Sequence, residues 1–173
     1  MKYFIILMAI ICSGLNAQNL IQDPQFKLKN KHWTLKKKSE FAKVKPNFSD
    51  NLLTIETAHS SESFYLSLLT ELDVKPGSKY KLTVSTKAEG EGQIRFTCVS
   101  RPKLDLKLKD IKVNRYGAIG LNKNVEPKEN WEKHNFTFTT KKLISDEHRP
   151  YLSLQFGAYT GKVQIKDIEL IEL

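Results

Sequence analysis

Apolar and polar residues alternate with a period of two over several stretches of this chain, the pattern of β-strands with one buried face. In "KYKLTVSTKA", Tyr80, Leu82 and Val84 fall on one side and Lys81, Thr83, Ser85 and Lys87 on the other. "QIRFTCVS" sets Ile94, Phe96 and Cys98 against Arg95, Thr97 and Val99, and "HNFTFTT" sets Phe136 and Phe138 against Thr137 and Thr139. "YLSLQFGA" sets Leu152, Leu154 and Phe156 against Tyr151, Ser153 and Gln155. The closing "KVQIKDIELIEL" alternates through Val163 and Ile165 and resumes out of phase at Ile168 and Leu170. That slip predicts a β-bulge across Lys166-Asp167.

Glycine and proline punctuate these runs at "KPGSK", "EGEGQ" and "YTGK", where turns between strands are expected. No stretch offers three turns of amphipathic helix, so the pattern predicts an all-β, two-sheet antiparallel β-sandwich. The segment "QNLIQDPQFKLKNKHWTL" reads as a short strand that turns at Asp23-Pro24, because proline removes a donor and biases its predecessor toward extended backbone. Residues 101–130 fit less neatly. Leu104, Leu106 and Leu108 alternate with charges and suggest an extra strand or hairpin arm. The remainder, with "NRYGAIG", reads as a long loop of the kind that often carries function.

Residues 1–17, "MKYFIILMAIICSGLNA", place Lys2 before an apolar run and end on small and polar residues, the layout of a secretory signal peptide cleaved after Ala17. The run is too short for a retained membrane span. Bulky Ile11 stands before Cys12, against lipid attachment at that cysteine. Residues 18–173 then form a single domain, with no second hydrophobic run and so no transmembrane segment after leader removal. The expected destination is exported: periplasmic, cell surface or extracellular. Of two cysteines only Cys98 would remain, so an intramolecular disulfide is excluded.

The chain has 28 Lys and Arg against 19 Asp and Glu, a formal charge of +9. Clusters occur at Lys36-Lys37-Lys38 and along "RPKLDLKLKDIKV". Such a balance suits an acidic polysaccharide or a negatively charged envelope; it also suits the solvated surface of an exported protein. Nucleic acid fits poorly, since neither a basic helix nor an aromatic-basic recognition signature is present.

Enzymatic chemistry finds little support. His32, His59, His134 and His148 lack metal-ligand spacing. Cys98 has core phase, which makes it an inert buried thiol. Ser60-Ser61 beside His59 is a loop coincidence, and nothing fixes the separation of Asp105, Asp110 and Glu126, as paired carboxyl groups for glycoside cleavage would require.

"NLIQDPQF", Trp33, "LDVKPGSKYKLTVSTKAEG", "NWEKHNFTFTT" and "YLSLQFGAYTGKVQIKDIEL" follow one another in an order that resembles the cenC-type carbohydrate-binding modules of families 4 and 9. The resemblance spans essentially all of residues 18–173. It implies a galactose-binding-like jelly roll whose opening segment pairs near the last strand, with Trp33 and Trp131 as structural anchors. It also implies a non-catalytic role, contact with a poly- or oligosaccharide through the concave sheet and the loop after Arg101, and no cofactor. Members of this group often hold a structural calcium with an acid after the opening phenylalanine and an aspartate on the last strand. Asp167 matches the second place, but Lys27 follows Phe26, and an ammonium there opposes a hard cation.

For sugar contact the resemblance points to Gln155, before "FG" on the penultimate strand. Arg95, Thr97, Tyr151 and Ser153 share its outward phase, and Tyr65 in "SFYLSLLTEL" is placed to reach the concave side. Tyr116 in "NRYGAIG" is a candidate exposed aromatic, and Arg115 beside it a candidate bidentate donor. The alternative is a structural or adhesive cell-envelope protein using the same sandwich for protein contacts. A groove with an exposed aromatic near Gln155 and Arg95 favours sugar; a flat or filled sheet favours protein.

Overall fold

The computed structural model describes residues 18–49, 51–103 and 117–173. The leader, the leucine alternation at Leu104, Leu106 and Leu108, and both Arg115 and Tyr116 lie outside them. Among the described residues ten strands follow in order: β1 (Thr34–Lys37), β2 (Asn47–Ser49), β3 (Leu52–Thr57), β4 (Leu66–Glu71), β5 (Lys79–Gly92), β6 (Ile94–Pro102), β7 (Gly117–Val125), β8 (Glu132–Thr139), β9 (His148–Gln155) and β10 (Tyr159–Glu172). They form two five-stranded sheets, β1-β4-β9-β6-β7 and β2-β3-β10-β5-β8, and every pairing is antiparallel.

The alternation decides which face each strand buries. Ile94, Phe96, Cys98, Leu152 and Leu154 of the first sheet meet Tyr80, Leu82, Val84, Val163 and Ile165 of the second in one core. Phe96 and Phe136 approach across the layers with ring centres 5.9 Å apart. Cys98 is fully buried, and desolvation pushes its thiol up to about 12, which removes it as a nucleophile near neutral pH.

The bulge in the last strand is present. Lys166 faces Ser85 and Glu169 faces Thr83, so Asp167 and Ile168 stand together against one residue of β5. Asp167 takes φ +50° there and its Oδ2 accepts a hydrogen bond from Ser85 Oγ at 3.2 Å. The extra residue returns Ile168 and Leu170 to the core side.

Three expectations are corrected. The opening segment is not a strand: its contact with β10 is one backbone bond, Leu20 N to Leu170 O at 2.8 Å, reinforced by the Asn19 side chain. That amide donates to Ile168 O at 3.1 Å and accepts from Leu170 N at 3.0 Å. The turn at Pro24 follows as read. Asp23 holds it, accepting the N–H groups of Lys27 and Leu28 on its carboxylate and the Trp33 indole N–H on its carbonyl.

The second correction concerns Trp131, which is 40% exposed where Trp33 is fully buried. Trp131 precedes β8 rather than entering the core, and the Lys166 ammonium lies 4.4 Å above its ring. The third concerns "GAIG", which is the start of β7 rather than loop. Its glycines hide the alternation of Ile119 and Leu121. Gly120 is required because a Cβ there would stand 2.6 Å from the Thr139 carbonyl oxygen, where the edge strands β7 and β8 meet.

Candidate functional site

The outer face of the first sheet is built from cross-strand rows. Strand register aligns Lys36, Ser67, Gln155, Arg95 and Asn124 in one row across β1, β4, β9, β6 and β7. The next row runs Thr34, Leu69, Ser153, Thr97 and Asn122, and beyond it Glu71, Tyr151 and Val99. Arg95, Thr97, Tyr151, Ser153 and Gln155 therefore share this face, as their phase requires. The first three rows are not equally open: Thr97, Tyr151, Ser153 and Gln155 are each buried, which makes them a floor rather than a solvated surface.

Above that floor lies a hollow of about 470 Å³ lined by Gln155, Ser153, Ser67 and Leu69, with Lys36, Lys38, Arg101, Phe64 and Tyr65 around it. The lip is a 3-10 turn, Ser63–Tyr65. It is held down by Phe156 N to Leu66 O at 2.9 Å and Gly157 N to Ser63 O at 3.1 Å. Phe64 is 54% exposed and meets Tyr65 edge to face at 4.6 Å. Lys38 caps the Tyr65 ring at 5.2 Å, and its backbone N–H donates to Tyr65 O at 2.8 Å.

Gln155 is oriented by its neighbours. Ser63 Oγ donates to its Oε1 at 3.3 Å, and its Nε2 reaches Ser153 Oγ at 3.4 Å. A primary amide has two acceptor sites and two N–H groups, so among the described residues one of each is left without a partner. Ser67 Oγ donates to Phe64 O at 3.0 Å, tying floor to lip.

Not every sequence candidate joins this hollow. Arg95 donates from Nε to Asn124 Oδ1 at 2.7 Å, and Asn124 continues through Gln93 to Glu126. Thr97 Oγ1 donates to Leu121 O at 3.0 Å, so its proton serves the β6–β7 seam. Tyr151 lines a second hollow of about 460 Å³ with Thr34, Leu69, Glu71, Arg149, Lys103, Lys31, His32 and Gln22. Leu69 borders both hollows.

Sequence reasoning missed Phe64. It stands beside Tyr65 at a turn where the two-residue period breaks, so phase says nothing of it; its signal is an aromatic pair just before an apolar run. Lys36 and Lys38 were visible as a charged cluster without a position. On the far sheet, His134 joins Phe136 in parallel stacking at 6.1 Å and its Nε2 meets Thr86 Oγ1 at 2.8 Å. Burial lowers its pKa, and Glu132 opposes that shift. Among the described residues, no group of three His, Cys, Asp or Glu is placed to hold a metal ion, and no helix is long and apolar enough to cross a membrane.

No protein-family model and no curated protein matches the sequence. Solved structures do match the fold. A structure described as "CBM4 structure and function" superposes with a TM-score of 0.67 at 13% identity, covering 88% of this chain and 99% of that one. The N-terminal cellulose-binding domain from Cellulomonas fimi β-1,4-glucanase C gives 0.59 at 14% identity, covering 82% and 89%. A family 16 carbohydrate-binding module gives 0.57 at 16% identity, covering 89% and 100%. The two sheets, their order and these superpositions agree on one point: the chain has the jelly-roll fold of the carbohydrate-binding modules, family 4 among them.

Proposed function

We propose that this chain is an exported, non-catalytic carbohydrate-binding module that holds a poly- or oligosaccharide against the outer face of its first sheet. The observation that carries this reading is the hollow itself. Its floor offers Gln155, Ser153 and Ser67, and its lip offers the exposed Phe64 beside Tyr65. A pyranose needs that pairing: an apolar ring face for its C–H side and fixed polar groups for its hydroxyls, on a scaffold that barely moves. β9 and β4 are interior strands of the sheet, which supplies the rigidity.

Fold likeness to a cellulose-binding domain and to other carbohydrate-binding modules supports the reading. A flat or filled outer face would have favoured an adhesive protein; a hollow with an aromatic lip favours sugar. Export rests on the signal-peptide layout of residues 1–17. The non-catalytic reading is supported by the fold likeness to binding modules and by Cys98, whose burial keeps its thiol neutral.

The test is affinity electrophoresis through gels containing neutral β-glucans, xylan and uronate polymers, run with the unsubstituted protein, Phe64→Ala, Gln155→Ala and Tyr116→Ala. Retardation by at least one glycan, weakened by Phe64→Ala and Gln155→Ala, is expected. Unretarded migration through every gel would refute the proposal.

A further inference from the structure

We infer that the glycan this face takes is polyanionic, with its carboxylate or sulfate groups set against the lysines that flank the two hollows; this rests on the reading of the face as glycan-binding. The hollows adjoin at Leu69. At about 3.3 Å per residue, β9 from Gln155 to Arg149 lays a floor about 20 Å long beneath them, enough for several sugar units. Lys36 and Lys38 stand at one end, and Lys31, Lys103 and Arg149 at the other. Among the described lining residues the only carboxylate is Glu71.

The composition of the lining argues against a merely solvated surface. Among the described residues seven Lys and Arg side chains border the two hollows against the single carboxylate of Glu71. Opposite charges in register are the ordinary way a sheet surface balances itself, and Lys36 faces Ser67 across the strands instead. An excess of cations around a groove raises the local concentration of anionic ligand and binds it more strongly than neutral donors do. The hydroxyl and amide floor favours a sugar polymer among polyanions, since sugar hydroxyls use both its donors and its acceptors whereas phosphodiester oxygens use its donors alone.

The experiment uses the full chain and four probes: a polyuronate, the same polymer with its carboxyl groups reduced to alcohols, a sulfated polysaccharide, and single-stranded DNA of similar charge density. Affinities are measured for the unsubstituted protein, for the double variant Lys36→Gln/Lys38→Gln, and for Lys81→Gln/Lys133→Gln on the second sheet. The expected result is about tenfold tighter binding of the polyuronate, the sulfated polymer or both than of the reduced polymer. The groove variant should lose about that factor and the second-sheet variant almost none. Which acid group is preferred follows from the two charged arms. Equal affinity for the polyuronate and its reduced form would overturn the inference while leaving glycan binding intact. Equal losses in both variants, or DNA binding as tight as glycan, would also overturn it, revealing undirected charge attraction. Failure to bind any of the three polysaccharides would count against the inference and the proposed function together.

Discussion

A Cβ placed on Gly157 would stand 2.2 Å from the carbonyl oxygen of Glu62. Glu62 opens the 3-10 turn that carries Phe64 and Tyr65, and Gly157 follows β9, which carries Gln155. The missing side chain is therefore what lets the aromatic lip settle onto the end of the strand that makes the floor. Gly157→Ala forces backbone apart at that contact. It should lower stability by about 1–3 kcal/mol and weaken glycan binding more than this loss of stability explains. Urea unfolding and binding measured on the same sample check both; unchanged affinity would mean that the lip is not part of the site.

The two tryptophans should separate sharply in stability. Trp33 is fully buried, its ring centre 5.1 Å from that of Phe26 and its indole N–H bonded to Asp23 O at 2.9 Å. Trp33→Ala is expected to cost about 3–5 kcal/mol. Trp131 is 40% exposed, stands outside the core and carries the Lys166 contact, so Trp131→Ala should cost much less, about 1 kcal/mol. Chemical denaturation of the two variants distinguishes them directly.

Asp23 is a local organiser whose carboxylate accepts two backbone N–H groups at 3.0 and 2.9 Å. Asp23→Ala leaves both donors without that partner and should destabilise the protein by about 1–3 kcal/mol. Asp23→Asn keeps an acceptor on one arm and should fall between the two. Thermal denaturation of the pair provides the comparison.

His134 gives a pH dependence of known sign. Its folded-state pKa lies below the ordinary value because burial penalises the charged ring, with Glu132 opposing. The unfolded chain therefore binds the proton more readily. The stability that His134 contributes is present above its unfolded pKa of about 6.5 and is lost as pH falls through the lowered folded value. The urea midpoint of the unsubstituted protein should fall more between pH 7.5 and pH 5 than that of His134→Gln. Identical pH dependence in both would remove His134 from the account.

Much of the architecture was legible from residues with one buried face. Strands β5, β6, β8 and β9 announce themselves by alternation, and the slip at Lys166-Asp167 located the bulge because a two-residue period records any insertion. β4 was not legible by the same rule: Leu66 through Thr70 are all buried, since the floor of the hollow covers the side that would otherwise be polar. β7 was obscured by Gly117 and Gly120, which leave its period unmarked. The short edge strands β1 and β2 are too brief to display a period.

Of the site, the floor was readable and the lip was not. The outward side of Gln155, Ser153, Tyr151, Thr97 and Arg95 follows from phase, and the choice of Gln155 from the family resemblance, whereas Phe64 and the two hollow-facing lysines depend on how a turn and an edge strand fold over the sheet. Trp131 misled for a related reason. A tryptophan before a strand has no phase to declare its side, and the cation above its ring comes from a strand distant in sequence.

That contrast between exposed aromatics supplies the most direct test of the central claim, that the outer face of the first sheet receives the glycan. Phe64 lies on that face, and Trp131 stands just before β8 of the other sheet. Isothermal titration of whichever polysaccharide the protein retains best, into Phe64→Ala and Trp131→Ala side by side, should show affinity falling about tenfold or more for Phe64→Ala and staying unchanged for Trp131→Ala. Loss confined to Trp131→Ala would place the ligand on the opposite face and contradict the account.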